Sequence, residues 1–174
     1  MDSMRREKNV KQIKTAFYEE VIRRNSDMVY RLAYALVKTR DDADDIYQEV
    51  FLRYMQNEPD FQNAEHEKAW FLRVTVNCCK NFWKSPWIRR RVAMEQKEIE
   101  QGGMIPGLSD DSAALVDAVK RLSKNYRVVI HLFYYEELSI GEIAAVTNAK
   151  ASTVRTRLTR ARRQLGKILK KEEI

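Results

Sequence analysis

Apolar residues recur along the chain at a spacing close to the 3.6-residue period of an α-helix. They form two blocks, one in each half of the sequence. The pattern predicts five amphipathic helices: 27–38, 41–56, 67–83, 113–122 and 125–136. Ser26 is suited to cap the first of them, and Asp111 or Ser112 the fourth.

The region between the two blocks, residues 85–111, has little apolar periodicity. It holds five helix-breaking residues: Pro86, Gly102, Gly103, Pro106 and Gly107. We expect a flexible linker, helical over residues 90–100 and then irregular to Ser109. The sequence therefore predicts an all-α protein of two small helical domains, residues 1–84 and 112–174, joined by this linker.

A helix-turn-helix is indicated near the end of the second block. Residues 139–142, SIGE, form a capping box in which the Ser139 hydroxyl accepts from the Glu142 amide and the Glu142 side chain reaches back. Asn148 can adopt the left-handed conformation that ends a helix, and Ser152 is suited to cap the next one. Two helices joined by so short a turn predict a helix-turn-helix.

The helix after this turn, residues 151–165, separates apolar from basic positions. At about 100° per residue, Val154, Leu158 and Ala161 share the inward face. The outer face and its edges carry hydroxyls and arginines: Ser152, Arg155, Thr156, Arg157, Thr159, Arg160, Arg162 and Arg163. A helix fits the major groove of DNA, where arginines and hydroxyls read base edges and flanking arginines reach phosphates. We therefore expect this face to bind DNA.

The predicted helix over residues 41–56 is acidic, although the chain as a whole has a net charge of +7. The helix dipole accounts for Asp41 and Asp42 at its start, but not for Glu49 beside Phe51 and Leu52. An acidic face would avoid DNA and suits a basic protein surface. We expect this helix to contact a protein.

Aromatic, basic and amide side chains alternate on the helix over residues 67–83 and in the polar loop before it, residues 57–66. The candidates for contact with DNA are Phe61, Trp70, Arg73, Asn77 and Lys80. Core packing explains part of the aromatic content. The combination also suits single-stranded DNA, because bases stack on rings, cations follow the backbone and an amide reads a base edge.

Several classes of protein fit poorly. No segment has the length of a signal peptide's apolar core or of a membrane span, so a cytoplasmic protein is expected. Cys78 and Cys79 are adjacent, and a disulfide between neighbours on a helix would be strained, so we expect both to be reduced thiols. A metal enzyme built on helix carboxylates and His66 is disfavoured, since no Glu-x-x-His pair exists and His131 lies in the other predicted domain. A plain helix-turn-helix regulator would leave the acidic helix without a role.

Three motifs in this order resemble the extracytoplasmic-function (ECF) group of bacterial RNA polymerase sigma factors, in the sigma-70 family. DDADDIYQEVFLRYM, residues 41–55, resembles the group's D-x-x-D-[IV]-x-Q-E-x-F motif. AWFLRVTVNCCKNFW, residues 69–83, resembles its W-[LF]-x-R-[IV]-[AT]-x-N pattern, and residues 122–165 resemble its helix-turn-helix half. Ser123 and Ala151 depart from the Pro and Gly found in many members.

The resemblance implies a protein that binds core RNA polymerase, through the clamp helices of the largest subunit and the flap, and promoter DNA, double- and single-stranded. The residues implied for the clamp helices are Asp45, Gln48, Glu49 and Leu52. Residues 57–66 and Asn77 would capture a flipped base of the minus-ten element, and the outer face of residues 151–165 would read the minus-thirty-five element. An anti-sigma factor, often membrane-anchored in this group, is the implied inhibitor. No cofactor, metal, small-molecule substrate or catalysis by the chain itself is implied.

Overall fold

The computed structural model describes residues 2–95 and 110–172 of the chain, with side chains from 4 to 91 and from 114 to 171. Within these ranges all regular structure is helical, which confirms the all-α prediction. The helices are α1 Asp2–Val37, α2 Arg40–Asn57, α3 Ala64–Lys84, α4 Pro86–Glu95, α5 Asp110–Lys120, α6 Lys124–Ile130, α7 Ile140–Thr147 and α8 Ala151–Glu172. One π-helical turn, His131–Tyr135, follows α6 and is called the π-turn below.

The first helix is one continuous rod, so the prediction that a helix begins after Ser26 is wrong. Ser26 lies in the middle of α1, where its hydroxyl donates to the Ile22 carbonyl at 2.6 Å and lies 2.8 Å from the Tyr47 hydroxyl. A serine that bonds back to the preceding turn is compatible with a helix interior. The fully buried Val21 shows that the core already begins upstream of it.

The next two helices begin earlier than the sequence predicted. Thr39 caps α2 by accepting from the Asp42 amide at 3.2 Å, and Asn63 caps α3 by accepting from the His66 amide at 2.8 Å. Residues 64–66, expected in the loop, therefore belong to α3. Both caps have extended backbone, as side-chain capping requires.

Helices α1, α2 and α3 enclose the core of the first unit, which we define as α1–α4. Its fully buried side chains include Leu32, Leu36, Val50, Phe71 and Leu72. Each large apolar side chain removed from water contributes about 1.5–3 kcal/mol. This packing fixes which faces of α2 and α3 remain exposed.

The region predicted as a linker begins with structure. Helix α4 starts at Pro86 rather than near residue 90, because proline is well suited to the first helical position. Its Arg91 pairs with the buried Asp42 at the start of α2, so residues 86–91 pack on the first unit. Residues 96–109, including the end of the predicted helix and the irregular stretch, lie outside the described residues.

The second unit, α5–α8, confirms the helix-turn-helix signature and corrects its details. The capping box is present, with the Ser139 amide donating to Glu142 Oε2 at 2.7 Å, and Asn148 is left-handed at φ 53° and ψ 44°. Ser152 lies inside α8, which begins at Ala151, and so does not precede it as a cap.

Two further boundaries differ from the prediction. Asp111 and Ser112 lie in the first turn of α5 instead of before the helix. The helix expected over residues 125–136 is divided, since α6 gives way to the π-turn at His131. A single extra residue in a turn leaves the apolar spacing almost unchanged, so periodicity did not reveal it.

The two units pack against each other. The buried Arg127 of α6 donates to the Leu36 carbonyl of α1 at 2.8 Å and to the Leu122 carbonyl at 2.6 Å. Burial lowers the pKa of Arg127 to about 10. Arg127 therefore connects the two units, because it is hydrogen-bonded to a main-chain carbonyl of each.

Candidate nucleic-acid interface

Helix α8 presents the polar face that its sequence predicts. Val154, Leu158 and Ala161 are buried against the second unit. The opposite side, called the α8 outer face, is exposed and consists of Ser152, Arg155, Thr156, Thr159, Arg160 and Arg163. The spacing prediction for this helix is confirmed, because burial and exposure alternate with the helical period.

The two threonines of the α8 outer face have a defined polarity. Thr156 Oγ1 donates to the Ser152 carbonyl and Thr159 Oγ1 to the Arg155 carbonyl, each at 3.0 Å. A hydroxyl whose proton is used in this way still offers lone pairs to a donor. In the major groove the matching donors are the exocyclic amino groups of adenine and cytosine.

A shallow hollow of about 440 Å³ lies between the first turns of α6 and α8. It is lined by Ser123, Asn125, Tyr126, Ser152, Thr153, Thr156, Arg157 and Arg160. Ser123 makes no capping hydrogen bond to the α6 amides. Helix N-termini and arginines both favour anions, so this hollow suits a DNA phosphate at the edge of the α8 outer face.

Arg162 does not join the other arginines. Its Nε donates to the Tyr134 hydroxyl at 2.6 Å, and its guanidinium carbon lies 5.2 and 5.5 Å from the ring centroids of Phe133 and Tyr134. These contacts hold it against the π-turn. The structure therefore separates Arg162 from Arg160, although the sequence grouped them as DNA contacts.

The candidate residues of the first unit fall into two groups. Arg73 and Asn77 are exposed on α3. Phe61 and Trp70 are half-buried, with ring centroids 5.8 Å apart, and Phe61 also stacks on Tyr54 at 6.3 Å. Both rings pack against the core, so only part of each is accessible to a ligand.

Lys80 is held by the second unit. Its Nζ donates to the Thr147 carbonyl at the end of α7 with a distance of 2.8 Å. Burial lowers the pKa of Lys80, and the nearby cations Arg157 and Lys84 lower it further. The contact brings a candidate from α3 close to Arg157 of α8, so the two predicted DNA-binding sets meet here.

A buried carboxylate forms a third contact between the units, and no pattern in the sequence indicates it. Three nitrogen atoms lie near the Glu136 carboxylate, directly after the π-turn: His131 Nε2 of the same unit at 3.4 Å, and Lys68 Nζ at 3.6 Å and Arg31 Nη2 at 3.9 Å from the first unit. Lys68 also donates to the Glu136 carbonyl at 3.1 Å. Burial by itself would raise the pKa of Glu136, but His131, Lys68 and Arg31 lower it overall.

The acidic helix α2 exposes part of the face that the sequence assigned to a protein partner. Asp45, Gln48, Glu49 and Leu52 are all exposed. Glu49 accepts from Arg53 Nε at 2.7 Å, and Leu52 and Met55 add exposed apolar surface. Asp42, one of the acids that make the α2 sequence acidic, is buried against Arg91 and is not part of this face.

Neither cysteine has the character of a reactive site. Cys78 and Cys79 are buried free thiols. Burial raises the pKa of Cys78 to about 11 and that of Cys79 further still. In the part of the chain that the structure describes, no group of three or more His, Cys, Asp or Glu side chains could hold a metal ion. None of the described helices combines the length and apolar character needed to cross a bilayer.

Two family profiles match this chain. Residues 21–91 match the profile of Sigma-70 region 2, and residues 112–165 match that of Sigma-70 region 4. The RNA polymerase sigma factor SigV of Bacillus subtilis is 32% identical over 145 residues, which cover 83% of this chain and 86% of SigV. The ECF RNA polymerase sigma factor SigE of Mycolicibacterium smegmatis is 32% identical over 88% of this chain, which spans 62% of that relative.

Solved structures with the same fold are also found. The sigma factor RpoE of Bartonella quintana, in complex with the anti-sigma factor NepR, has a TM-score of 0.67 at 22% identity and covers 88% of this chain and 96% of its own. CnrH, in complex with the cytosolic domain of CnrY, has a TM-score of 0.59 at 20% identity, with coverage of 88% and 87%. At these identities the likeness concerns the fold.

Proposed function

The chain belongs to the sigma-70 family of RNA polymerase sigma factors, in its ECF group, and on that premise we propose how its two units divide the work of initiation. As such a factor it binds core RNA polymerase, recognises promoter DNA and promotes strand opening. We assign polymerase docking and the minus-ten element to residues 1–84, and the minus-thirty-five element to residues 112–174. Because Arg91 pairs with Asp42, we expect residues 86–91 to move with the first unit.

The α8 outer face is the observation that carries the proposal. It is exposed, it has no acidic side chain, and it is held by a helix-turn-helix whose capping box is complete. In the proposed complex Arg160, Arg155, Thr156 and Thr159 face base edges of the minus-thirty-five element. Ser152, Arg157 and Arg163 lie toward the phosphates. Arg162 stabilises the π-turn instead.

We propose that α3 and the loop before it receive the minus-ten strand. Asn77 is exposed and offers both a donor and an acceptor to the edge of an extruded base. Arg73 is exposed nearby on the same helix and can contact the DNA backbone, and Phe61 and Trp70 are half-buried aromatic rings beside it that can contact bases. Lys80 lies on the same helix, and its hydrogen bond to Thr147 holds it against the second unit.

The contacts of Lys80 and Glu136 indicate that the described arrangement is a closed form. With α7 packed on α3, the Lys80 ammonium donates to the Thr147 carbonyl, which holds it against the second unit. We propose that the units separate before DNA binding. Separation breaks the ion pairs that Lys68 and Arg31 form with Glu136. It also breaks the hydrogen bond from Lys80 to Thr147, which leaves Lys80 available to the minus-ten strand.

The exposed α2 residues are assigned to the polymerase. Asp45, Gln48 and Glu49 give a polar and acidic surface, and Leu52 an apolar centre, for a basic helical surface such as the clamp helices. The two solved structures of this fold named above are complexes, one of RpoE with the anti-sigma factor NepR and one of CnrH with the cytosolic domain of CnrY. We propose that this chain also has an anti-sigma partner, that it works in the cytoplasm with the polymerase, and that bond-making belongs to the polymerase alone.

Run-off transcription tests the proposal. Core polymerase supplemented with this chain should start transcripts at defined sites on genomic fragments, and core polymerase alone should not. A helix-turn-helix regulator would bind DNA without converting the core enzyme to specific initiation. Absence of any association between the chain and core polymerase would refute the assignment.

A further inference from the structure

Lysines gather where the first unit meets the start of the second. Lys120, in the last turn of α5, places its Nζ 5.3 Å from the ring centroid of Tyr34 on α1. Lys124, the first residue of α6, places its Nζ 5.4 Å from the ring centroid of Trp83 on α3. Two lysines of the second unit therefore lie against aromatic rings of the first.

Two further cations belong to this group, which we call the cation cluster: Lys38, Lys120, Lys124 and Arg127. Lys38 directly follows α1, and its amide donates to the Tyr34 carbonyl at 2.9 Å. Burial is the main cause that lowers the pKa of Lys38 to about 8, and the other three cations of the cluster contribute. The pKa of Lys124 is also lowered, first by burial and then by Arg127. The four like charges are thus close enough to repel one another.

The cation cluster has no paired carboxylate among the residues that the structure describes. Arg127 is 4% exposed, its Nη atoms donate only to main-chain carbonyls, and its buried Nε has no hydrogen-bond partner. The acid whose charge reaches Lys38 is Asp117, and it already pairs with Arg121 at 2.8 Å. Burying a cation without an opposite charge is costly. A bound anion would offset this cost and the repulsion between the lysines.

We infer that the cation cluster binds a small phosphate anion from solution, with pyrophosphate as its simplest polyvalent form, and that this anion holds the two units together. A phosphate group carries about two negative charges and three oxygens that accept hydrogen bonds, so it can neutralise several cations at once. A single carboxylate cannot. Lys38 comes from the first unit and Lys120 and Lys124 from the second, so the complete site exists only while the units are packed.

DNA is a poor source of the phosphate for this site. In the proposed function the units separate before DNA binding, which would divide the cation cluster between them. The choice of a free anion over DNA rests on that proposal. The binding of the anion itself rests only on the described packing of the units.

Isothermal titration calorimetry of the full chain with pyrophosphate tests the inference, and saturable binding is expected. Lys38→Gln and Lys124→Gln change one unit each, and each should weaken binding at least about tenfold, because each removes a charge-assisted hydrogen bond. Lys11→Gln is the matched control, since Lys11 is an exposed lysine of α1 outside the cation cluster. It should bind pyrophosphate as the wild type does. Arg127 is left unchanged because it joins the units.

Spin labels at the exposed positions Glu65→Cys and Lys167→Cys test the effect on the two units. At low salt, where the cations repel most strongly, pyrophosphate should shorten and narrow the distribution of distances between the labels. Lys124→Gln should remove this response.

Equal pyrophosphate affinities of the two cluster variants and Lys11→Gln, or a distance distribution that pyrophosphate does not change, would overturn the inference. So would a loss of affinity for duplex DNA or for a hexaglutamate peptide as large as the loss for pyrophosphate, because the cation cluster would then serve a macromolecule. These measurements use the chain without polymerase, so their failure is distinguishable from a failure in run-off transcription.

Discussion

Lys80 Nζ on α3 donates a hydrogen bond of 2.8 Å to the Thr147 carbonyl oxygen at the end of α7. The bond joins a cation of the first unit to the end of the first helix of the helix-turn-helix. Since Thr147 contributes through its main chain, the contact depends on how the two units pack and not on the side chain at position 147. The bond holds a candidate DNA-binding side chain of α3 against the second unit.

The closed form can be loosened at Glu136. In Glu136→Gln the buried carboxylate is lost, and with it the ion pairs to Lys68 and Arg31 that join the two units. We expect the closed form to lose about 1–3 kcal/mol. Spin labels can be attached at two exposed sites, one in each unit, through Glu65→Cys and Lys167→Cys. By electron paramagnetic resonance, the distance between the labels should be longer and more broadly distributed in Glu136→Gln than in the wild type. The exposed neighbour Glu137→Gln is the control, and identical distributions for the two variants would exclude this role of Glu136.

Arg160 and Arg162 should differ in their effect on promoter choice. Arg160→Ala removes a side chain of the α8 outer face, so it should cost about 1–3 kcal/mol at one base pair of the minus-thirty-five element and relax the preference there. Arg162 is bound to Tyr134, and Arg162→Ala should leave base preference unchanged. Binding to a panel of single-base-pair variants of the element measures both. Uniform weakening of all sequences by Arg160→Ala would identify a phosphate contact instead.

The assignment of α2 to the polymerase predicts a charge effect. Glu49→Lys places a cation where a carboxylate faces a basic partner, and should weaken binding to core polymerase by about tenfold or more. Glu19→Lys, an exposed acid on α1, is the matched control. Fluorescence anisotropy of labelled chain against core polymerase measures both at low and high salt. Equal affinities of Glu49→Lys and Glu19→Lys for core polymerase would show that this face of α2 does not bind the polymerase.

Glu67 should make stability depend on acid pH. Arg24 bonds its carboxylate at 2.7 and 2.5 Å and Asn25 at 2.6 Å, and the Arg24 hydrogen bond is the main cause of its lowered pKa. Because the folded pKa is below the unfolded one, the unfolded chain takes up this proton first as the pH falls. The stabilisation is therefore complete above about pH 4 to 5 and is lost as the pH falls through the folded pKa.

Urea unfolding measures this effect. At pH 7 Glu67→Gln should be less stable than the wild type by about 1–3 kcal/mol, and the difference should shrink toward pH 3. Glu65→Gln, an exposed acid in the first turn of α3, should show a much smaller difference. A difference for Glu67→Gln that does not change with pH would show that its ionisation is not what stabilises the fold.

Local signals in the sequence identified the second unit more fully than the first. The inward face of α8 follows from the spacing of Val154, Leu158 and Ala161. The capping box of α7 involves only Ser139 and Glu142, which are three residues apart in the sequence. Ser26 is as good a cap by composition as Ser139. Its place inside α1 depends on a distant partner, Tyr47, that no local pattern reveals.

The contacts between the units could not be predicted at all. Glu136 pairs with Arg31 of α1 and Lys68 of α3, and Lys80 donates to a main-chain oxygen that any residue could supply. Such contacts are set by how the units pack. For the same reason the sequence grouped Arg162 with the DNA contacts, since the helical wheel gives its direction but not its neighbour Tyr134.

The most direct test of the account concerns Asn77, because capture of an extruded base by α3 distinguishes a promoter-opening factor from a DNA-binding regulator. Permanganate footprinting of unpaired thymines should show that polymerase with Asn77→Ala opens duplex promoter at least about tenfold more slowly than with wild type, at unchanged core affinity. A pre-melted bubble should restore part of the loss. Asn81→Ala, an exposed amide one turn further along α3, should open the promoter nearly as fast as wild type. Opening by Asn77→Ala at the wild-type rate on duplex promoter would contradict the account.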